Sequence, residues 1–420
     1  MNVLIIGNGA REHTLAWKIS QSPKVDKLFI APGNAGTAAI AQNLQISPAD
    51  IPALTRAAQE SKVDIVVVGP EAPLVSGIVD AFQEIGIPAF GPSKGAAQIE
   101  GSKVFAKELM QKYDIPCAQG VIFSSFNDAQ EYLREQPIPI VIKADGLAAG
   151  KGAVVATSQG QALEALSDIM EKRVFGDAGN RILIEECLIG REASLLAFTD
   201  GKTVIPLIPA CDYKRALDGD QGPNTGGMGS YSPSEFFTPE LTDKVMDTIL
   251  KPVVKAMAQE GKPYRGVLYA GLMITAEGPK VLEFNARFGD PETQVILPLL
   301  KTDLVEIIQA IVNGTLAQLN IEWSDEICVG VVLASAGYPG SYQAGFPISG
   351  LGDVDEDVLI FHAGTKQGKF GQTITSGGRV LTVVATGKTY ADARDKVYRN
   401  ILRISFEGCR YRRDIGIIKG

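Results

Sequence analysis

The stretch VLEFNARFGDPE, residues 281–292, alternates apolar and polar side chains from Leu282 to Arg287. Side chains two positions apart lie on one face of a β-strand. A strand here therefore sends its polar residues to one side and its apolar residues into a core. The polar set is Glu283, Asn285 and Arg287, and the apolar set is Leu282, Phe284 and Ala286. The stretch predicts a half-buried strand with one polar face.

The polar face of this strand offers the ligand types of a magnesium site. Glu283 supplies a carboxylate and Asn285 an amide oxygen, hard donors of the kind that magnesium binds beside water and nucleotide phosphates. Arg287 would lie where negative charge is transferred. An exposed strand with ordinary polar residues is the alternative interpretation. The rigid acidic turn GDPE, residues 289–292, favours the metal site because a surface strand does not need it.

The composition is that of an ordinary globular protein, and it limits the possible partners and cellular location of the chain. With 420 residues the chain is too long for one hydrophobic core, so roughly two to four domains are expected. The net charge of -8 argues against non-specific nucleic-acid binding, which depends on clustered Lys and Arg. No apolar run approaches the roughly 20 residues of a bilayer-spanning helix, and no signal peptide is evident. A cytoplasmic protein without nucleic-acid or membrane partners is expected.

Residues 1–100 alternate strand-like and helix-like segments, which predicts a doubly wound parallel sheet. Two glycine-rich loops, GNGAR at residues 7–11 and PGNAGT at residues 32–37, follow the first and second strands. Glycines there let backbone N–H groups approach an anion at the start of a helix. The GxGxxG fingerprint of dinucleotide binding fails at its third glycine, where Glu12 stands, so the signal for a nicotinamide nucleotide is weak.

Two further segments have the composition of ligand-binding loops. KADGLAAGKG, residues 143–152, sets Lys143 at a strand end and Lys151 among small residues, which suits a loop that folds over phosphates. A glycine-rich turn between two strands is the alternative, and the residue order of a P-loop is absent. The segment from Asp212 to Ser230 is predicted to be a long substrate loop rather than a linker, because it combines charges with an Asn-Thr-Gly-Gly run.

The segment EECLIGRE, residues 185–192, joins two predicted strands. An extended backbone there would present N–H and C=O groups to an adenine edge, with Glu192 in reach of ribose hydroxyls. The indication is weak by itself, because acidic residues at a strand end are usually solvated. From about residue 326 the chain has the pattern of a small αβ module.

The chain has only two histidines, His13 and His362. Chemistry based on a histidine cluster or a Ser-His relay is therefore not expected. His13 follows the first glycine-rich loop, where it could touch a substrate, but a structural or helix-surface role is favoured.

Together these motifs resemble those of the glycinamide ribonucleotide synthetases, the phosphoribosylamine–glycine ligase family of the ATP-grasp superfamily. The resemblance extends over essentially the whole chain and is most specific at RFGDPE, residues 287–292. The other matching stretches are residues 7–13, 31–37, 69–74, 143–152 and 222–229. The chain departs from the family at Ala10, often Gly, and at Cys211, often Gln, so a side-chain contact from that Gln is in doubt. Residues 266–273 lack the acid that many ATP-grasp enzymes carry on the preceding strand.

The resemblance implies a multidomain fold of the α/β and α+β classes. Residues 1–101 would form the N-terminal, substrate-binding domain around the doubly wound parallel sheet. Residues 102–325 would form the ATP-grasp domain, whose mobile lid spans about residues 122–190. Residues 326–420 would form the small C-terminal αβ domain.

The resemblance also implies a reaction: ATP, glycine and 5-phosphoribosylamine give glycinamide ribonucleotide, ADP and phosphate through a glycyl phosphate, the second step of purine (IMP) synthesis. Mg²⁺ or Mn²⁺ would assist, and a monomer or a weak dimer is expected. The catalytic residues would be Arg287 and Lys151, and the metal ligands Glu283 and Asn285. The ATP contacts would be Lys103, Lys143, Lys151, Glu186, Leu188 and Glu192. The substrate contacts would be Asn8, Gly9, Gly33, Asn34, Glu71, Asp212, Lys214 and Asp290.

Three rival functions are compatible with parts of the sequence. Another ATP-grasp carboxylate–amine ligase or carboxylase would share Glu283 and Asn285, but not GDPE after Arg287 together with NTGGMG at residues 224–229. A catalytically silent nucleotide sensor would have lost the metal pair or a phosphate-binding lysine, and both are present. A nicotinamide-dependent dehydrogenase is disfavoured by Glu12.

Overall fold

The computed structural model describes residues 1–148 and 152–418. Its N-terminal part contains a five-stranded parallel sheet. In sheet order the strands are Gln42–Asn43, Lys27–Pro32, Asn2–Gly7, Ile65–Val68 and Ala89–Phe90. The helices beside it are Ala10–Ser20, Ile51–Glu60, Glu71–Ser76 and Ile78–Glu84. The central strand buries Ile5 in one apolar cluster and Leu4 in another, which confirms the predicted doubly wound sheet.

A four-stranded antiparallel sheet forms the middle of the chain. In sheet order its strands are Val204–Pro206, Arg191–Thr199, Gly266–Thr275 and Gly278–Asn285. The helices that contribute to the same apolar core are Lys103–Lys112, Pro239–Val245 and Lys251–Gln259, with the π-helical turn Met246–Leu250 between the last two. Leu195, Met257 and Leu272 are fully buried in this core.

A second antiparallel sheet of four strands covers most of the segment predicted to be the lid and begins just before it, at Gly120. In sheet order its strands are Gly120–Phe123, Ile182–Glu186, Ile140–Ala144 and Ala153–Ala156. Two helices, Phe126–Glu135 and Gln159–Met170, share a separate small core with it. Each helix begins after a serine, Ser125 or Ser158, whose Oγ accepts a backbone N–H of the first turn. Lys151, which was predicted to contact phosphate, falls outside the described residues.

The C-terminal sheet has five antiparallel strands. In sheet order they are Cys211–Asp212, Gly229–Ser232, Ile327–Ala334, Arg379–Gly387 and Val358–His362. The helix Tyr390–Ile401 packs on it through Ala393 and Val397. Two of these strands lie outside the predicted unit of residues 326–420, so that unit does not form its sheet alone.

The segment 212–230 is not one long loop, which corrects the sequence-based expectation. A two-stranded ribbon, Arg215–Leu217 and Gln221–Asn224, lies inside it, between the two strands that join the C-terminal sheet. The strands are too short and too rich in polar residues and glycine to show the period of two that reveals a strand. The buried Arg412 holds the ribbon, because its guanidinium donates to Arg215 O and Asp220 Oδ1.

Several short elements complete the fold. A further hairpin consists of Thr365–Gln367 and Thr373–Thr375. The remaining α-helices are Gln98–Gly101, Glu292–Ile296 and Leu304–Asn313. The 3₁₀ turns are Thr37–Ala39, Gly176–Gly179, Asp218–Asp220, Leu297–Leu299 and Leu316–Gln318. Among the residues described, no helix is long and apolar enough to cross a membrane.

The strand Gly278–Asn285 contains a β-bulge that the sequence did not predict. Gly271 pairs with Glu283 but Leu272 pairs with Val281, so Leu282 is the extra residue. The bulge resets the alternation: Val281 and Phe284 are buried in the core, whereas Leu282 is only partly buried. The prediction that Leu282 faces the core is therefore wrong, while Phe284 and Ala286 are buried as predicted.

The two histidines of the chain meet where the N-terminal helix packs on the C-terminal sheet. The backbone N–H of His362 donates to Nδ1 of His13 at 2.8 Å. A Cβ at Gly36 would lie 2.3 Å from Cε1 of His13, so glycine leaves the space that the ring occupies. Burial, and for His13 also the neighbouring His362, lowers the pKa of His13 to about 3, and burial lowers that of His362 to about 4. Both rings are neutral at pH 7.

The histidine pair predicts a loss of stability in mild acid. Because both pKa values lie below the ordinary 6.5, the unfolded chain binds protons that the native state does not. The stabilisation that the native state gains from keeping both histidines neutral is fully present above pH 6.5 and is lost as the pH falls toward the native pKa values. Each histidine should lower the free energy of unfolding by about 2 kcal/mol between about pH 8 and about pH 5.

Urea unfolding of the wild type and of His13→Asn at both pH values tests this expectation. Asn retains an acceptor for the His362 N–H but does not titrate, so the variant should lose about 2 kcal/mol less than the wild type on acidification. An identical pH dependence of the two proteins would contradict the assignment.

Candidate active site

The strand Gly278–Asn285 and the turn after it place the three predicted polar side chains together. Glu283 is exposed and Asn285 is partly buried. The Nη2 atom of Arg287 donates to Oδ1 of Asn285 at 3.3 Å. The bulge at Leu282 comes directly before Glu283, and the backbone carbonyl that it presents accepts a hydrogen bond from Nζ of Lys143 at 2.9 Å. Lys143, which was predicted to contact the phosphates of ATP, therefore lies beside the candidate metal ligands.

The charge environment keeps Glu283 ionised. Partial desolvation by the surrounding protein would by itself raise the pKa of Glu283, but the positive charges of Lys214, Lys143 and Lys103 outweigh this effect and lower the pKa. An ionised and accessible carboxylate next to an amide oxygen suits a hard divalent cation. The donor set thus fits magnesium or manganese held by Glu283 and Asn285.

Arg287 joins this strand to the N-terminal part of the chain. Its Nε lies 3.1 Å from Oε2 of Glu71, and its Nη2 lies 3.1 Å from Oε1 of Glu100. Glu100 also accepts the backbone N–H of Ala286 at 2.6 Å. Burial alone would lower the pKa of Arg287, but Glu100 and Glu71 raise it overall. Burial raises the pKa of Glu100, whereas Arg287 and Arg11 outweigh burial at Glu71 and lower its pKa.

The first glycine-rich loop is filled by a side chain of the protein. The buried carboxylate of Glu12 accepts the N–H of Gly9 and the Nε–H of Arg11, each at 2.6 Å. A Cβ at Gly69 would lie 2.1 Å from Oε1 of Glu12, so this glycine makes room for the carboxylate. Glu12 thus holds the loop in shape from within, and its charge is paired with that of Arg11.

The second loop is organised by Asn34. Its amide nitrogen donates to the carbonyl oxygens of Asn8 at 2.9 Å and His362 at 2.7 Å, and its Oδ1 accepts the N–H of Gly36 at 2.9 Å. The Asn34 side chain thus shapes the loop from within. Gly33 adopts a φ of +72°, which favours glycine. Asn8 is exposed at the loop surface.

Asp290 connects the acidic turn to the C-terminal sheet. Its Oδ2 lies 3.0 Å from Nη2 of Arg379, and its Oδ1 accepts from Gln294 at 2.7 Å. Nη1 of Arg379 also donates to the carbonyl oxygen of Gly226 at 2.6 Å. Burial alone would raise the pKa of Asp290, but Arg379 and Arg11 lower it overall. Arg379 therefore fastens the turn to the segment that follows Lys214.

Lys214 and Glu192, predicted to contact different substrates, form an ion pair of 3.0 Å. Asp212 lies near them, and its pKa is raised to about 7, chiefly by burial and further by Glu292 and Glu192. Burial opposes protonation of Lys214, but Asp212 and Glu192 outweigh it and raise its pKa. Lys214 stays charged while Asp212 titrates near neutrality.

Among the described residues, the predicted nucleotide contacts Lys103, Glu186 and Leu188 lie in or beside the lid sheet or on its link to the central sheet. Nζ of Lys103 donates to the carbonyl oxygen of Gly146 at 2.9 Å, at the start of the glycine-rich loop. Oε1 of Glu186 accepts the backbone N–H of Gln119 at 2.8 Å. Leu188 is partly buried on the link between the strands Ile182–Glu186 and Arg191–Thr199.

Three consecutive parts of the chain match one protein family. Residues 1–100 match the N domain of phosphoribosylglycinamide synthetase, residues 101–293 its ATP-grasp (A) domain, and residues 328–417 its C domain. The chain belongs to the phosphoribosylglycinamide synthetase family.

Relatives of known name agree with this membership. The phosphoribosylamine–glycine ligase of Halalkalibacterium halodurans is 52% identical over 416 residues, which cover 99% of this chain and 96% of the relative. The crystal structure of the phosphoribosylamine–glycine ligase from Thermotoga maritima has a TM-score of 0.87 at 35% identity, covering 99% of this chain and 100% of that one. The biotin carboxylase domain of a 2-oxoglutarate carboxylase from Hydrogenobacter thermophilus has a TM-score of 0.76 at 16% identity over 98% and 91% of the two chains, and shares the fold alone.

The structure adds residues to the candidate site that the sequence did not single out. They are Arg11, Glu100, Lys107, Glu185 and Arg379. Glu100, Glu185 and Arg379 pair with the predicted residues Arg287, Lys143 and Asp290, from which they are distant in sequence. Arg11 and Lys107 pair instead with Glu12 and Glu185. One local signal was present: Glu185 ends the run Ile182-Leu183-Ile184, where a buried strand would not tolerate an unpaired carboxylate.

The assignment of Glu283 as a metal ligand predicts the effect of Glu283→Gln. Gln keeps the shape of the side chain but removes its charge, so turnover should fall about a hundredfold or more. Stability should change little because Glu283 is exposed. Steady-state kinetics at limiting magnesium and thermal unfolding measure the two effects.

Glu277→Gln is the matched control for this variant. Glu277 lies at the turn between the strands Gly266–Thr275 and Gly278–Asn285, in an exposed ion pair with Lys280 of 2.7 Å. Its loss should leave turnover close to that of the wild type. Equal turnover of the two variants would show that Glu283 is not a metal ligand.

Proposed function

We infer that this chain is a phosphoribosylamine–glycine ligase. It uses ATP to join glycine to 5-phosphoribosylamine and releases glycinamide ribonucleotide, ADP and phosphate, in the second step of purine (IMP) synthesis. The main support is the full-length similarity to ligases of that name, 52% identical in one case, together with the connected set Glu283, Asn285 and Arg287. The surroundings expected from the sequence remain part of the proposal: the cytoplasm, no nucleic-acid or membrane partner, and a monomer or weak dimer.

The chemistry of the first step explains why the site is built from charges. A carboxylate is a poor acyl donor, so the γ-phosphoryl group of ATP first moves to a glycine carboxylate oxygen, which gives glycyl phosphate. Phosphoryl transfer needs positioning and charge stabilisation more than a nucleophilic side chain. Lys103 and Lys143 bind the phosphates, with Lys151 from the glycine-rich loop, and Arg287 faces the transferred group.

Glu283 and Asn285 would hold the Mg²⁺ or Mn²⁺ ion. When bound, such an ion neutralises charge on the phosphate oxygens. The adenosine part of ATP is bound by Glu186, Leu188 and Glu192, which lie where the strand Ile182–Glu186 leads into the strand Arg191–Thr199.

The second step joins the amine to the activated glycine. The sugar phosphate lies on the N-terminal loops at Asn8, Gly9, Gly33 and Asn34, with Glu71 beside Arg287. Asp290, Asp212 and Lys214 face glycine and the acyl phosphate. The attacking amine displaces phosphate and loses a proton, which the carboxylate of Asp212 accepts, because burial raises the pKa of this group above that of an ordinary aspartate. The segment 122–190 acts as the lid that keeps water from the acyl phosphate.

Substrate dependence of ADP release tests the proposed function. ADP should form rapidly with glycine and phosphoribosylamine together, and much more slowly with either alone, because the glycyl phosphate needs the amine for turnover. A coupled ADP assay with each substrate, both, or bicarbonate measures this. Rapid ADP formation with bicarbonate, and none with glycine plus the amine, would instead identify a carboxylase.

A further inference from the structure

Glu185 is a buried acid that contacts two lysines at once. Only 5% of its side chain is exposed. Its Oε1 lies 2.5 Å from Nζ of Lys107, and its Oε2 lies 2.5 Å from Nζ of Lys143. Because each oxygen has its own cationic partner, the carboxylate has one favoured orientation.

Lys107, Glu185 and Lys143 form a row of three charged side chains, and Lys107 is its most buried member. Its side chain is completely buried, and its Nζ also contacts the carbonyl oxygen of Ala118 and lies 3.5 Å from Sγ of Cys117. A completely buried ammonium cannot reach a ligand in the cleft. Separating it from Glu185 would leave a charge unpaired in the protein interior, which is strongly unfavourable. Lys107 therefore holds Glu185 in place.

The register of the lid sheet sets Lys143 beside Glu185. Glu185 pairs with Val141 and Lys143 pairs with Leu183, so the two charged side chains are diagonal neighbours on one face. On its other side Glu185 pairs with Gly120, where a Cβ would lie only 2.7 Å from Cγ of Glu185. The glycine thus leaves space for the Glu185 side chain.

Lys143 is the most accessible of the three charged side chains. Its side chain is 12% exposed, and its ammonium also donates to the carbonyl oxygen of Leu282 at 2.9 Å. An ammonium has three donors. Two of the three N–H donors of Lys143 are therefore directed at fixed acceptors before any nucleotide binds. One acceptor is Glu185 in the lid sheet and the other is the carbonyl oxygen of Leu282 in the central sheet.

We propose that Glu185 is a positioning residue: anchored by Lys107, it holds the Lys143 ammonium against the bulge at Leu282, where it meets the phosphates of ATP. This inference rests on the proposed function, because that function assigns phosphate contact to Lys143. A lysine that is already ordered loses less side-chain entropy when it binds phosphate. Glu185 acts through Lys143 and not by touching the nucleotide.

The affinity for a non-hydrolysable ATP analogue with magnesium, measured by calorimetry, tests this role in four proteins. They are the wild type, Glu185→Gln, Lys143→Met and the double variant. Glu185→Gln should weaken binding about tenfold, and Lys143→Met by at least as much. Because Glu185 acts through Lys143, the double variant should bind no more weakly than Lys143→Met alone. A merely structural role would not produce this dependence on Lys143.

Two further variants control for folding and for charge. Lys107→Met combined with Glu185→Gln removes the buried pair without leaving an unpaired charge, and should unfold near the wild-type temperature while still binding the analogue about tenfold more weakly. Asp168→Asn breaks an exposed pair with Lys172, 2.7 Å long, in the same part of the chain and should leave binding unchanged.

Unchanged affinity in the folded Lys107→Met and Glu185→Gln protein would overturn the proposal. The proposal would also be overturned if the loss of analogue affinity caused by Glu185→Gln added in full to the loss caused by Lys143→Met in the double variant. A wild type that does not bind the analogue would also overturn it. Binding needs neither glycine nor phosphoribosylamine, so absence of ligase turnover with normal analogue binding would refute the proposed function and leave this test valid.

Discussion

The guanidinium of Arg287 is the charge on which the arrangement of the site depends. It follows the strand that carries Glu283 and Asn285, and it pairs at 3.1 Å with both Glu71 and Glu100. A largely buried charge is stable only when its partners are in place. The start of the helix Glu71–Ser76 must therefore pack against this strand. The same contact brings the loops proposed for the sugar phosphate next to the residues proposed for phosphoryl transfer.

Charge pairing across distant segments recurs throughout the site. Lysines from three segments lower the pKa of Glu283, Glu185 bridges two lysines, and Arg379 of the C-terminal sheet pairs with Asp290. Each pair joins segments that are distant in sequence. Groups fixed in this way are oriented before substrate binds, which is how electrostatic stabilisation of phosphoryl transfer is achieved with little reorganisation.

The sequence predicted those features that leave a local pattern. The alternation of strands and helices in residues 1–100 gave the parallel sheet, and the period of two before Arg287 gave the polar strand face. The bulge at Leu282 and the strands within residues 211–232 depend on pairing with distant strands and have no periodic signal of their own. Arg379 and Glu100 were missed for the same reason, since their partners are close only after folding.

In the proposed function these charges serve one chemical event, the transfer of the phosphoryl group to a glycine oxygen, and that oxygen can be followed. Glycine labelled with ¹⁸O in both carboxylate oxygens should pass one labelled oxygen per turnover to the phosphate product. The carboxylate oxygen bonds to the γ-phosphorus, and its bond to carbon breaks when the amine attacks. Mass spectrometry of the phosphate measures the transfer. Phosphate without label, at normal yield of glycinamide ribonucleotide, would contradict the glycyl phosphate route.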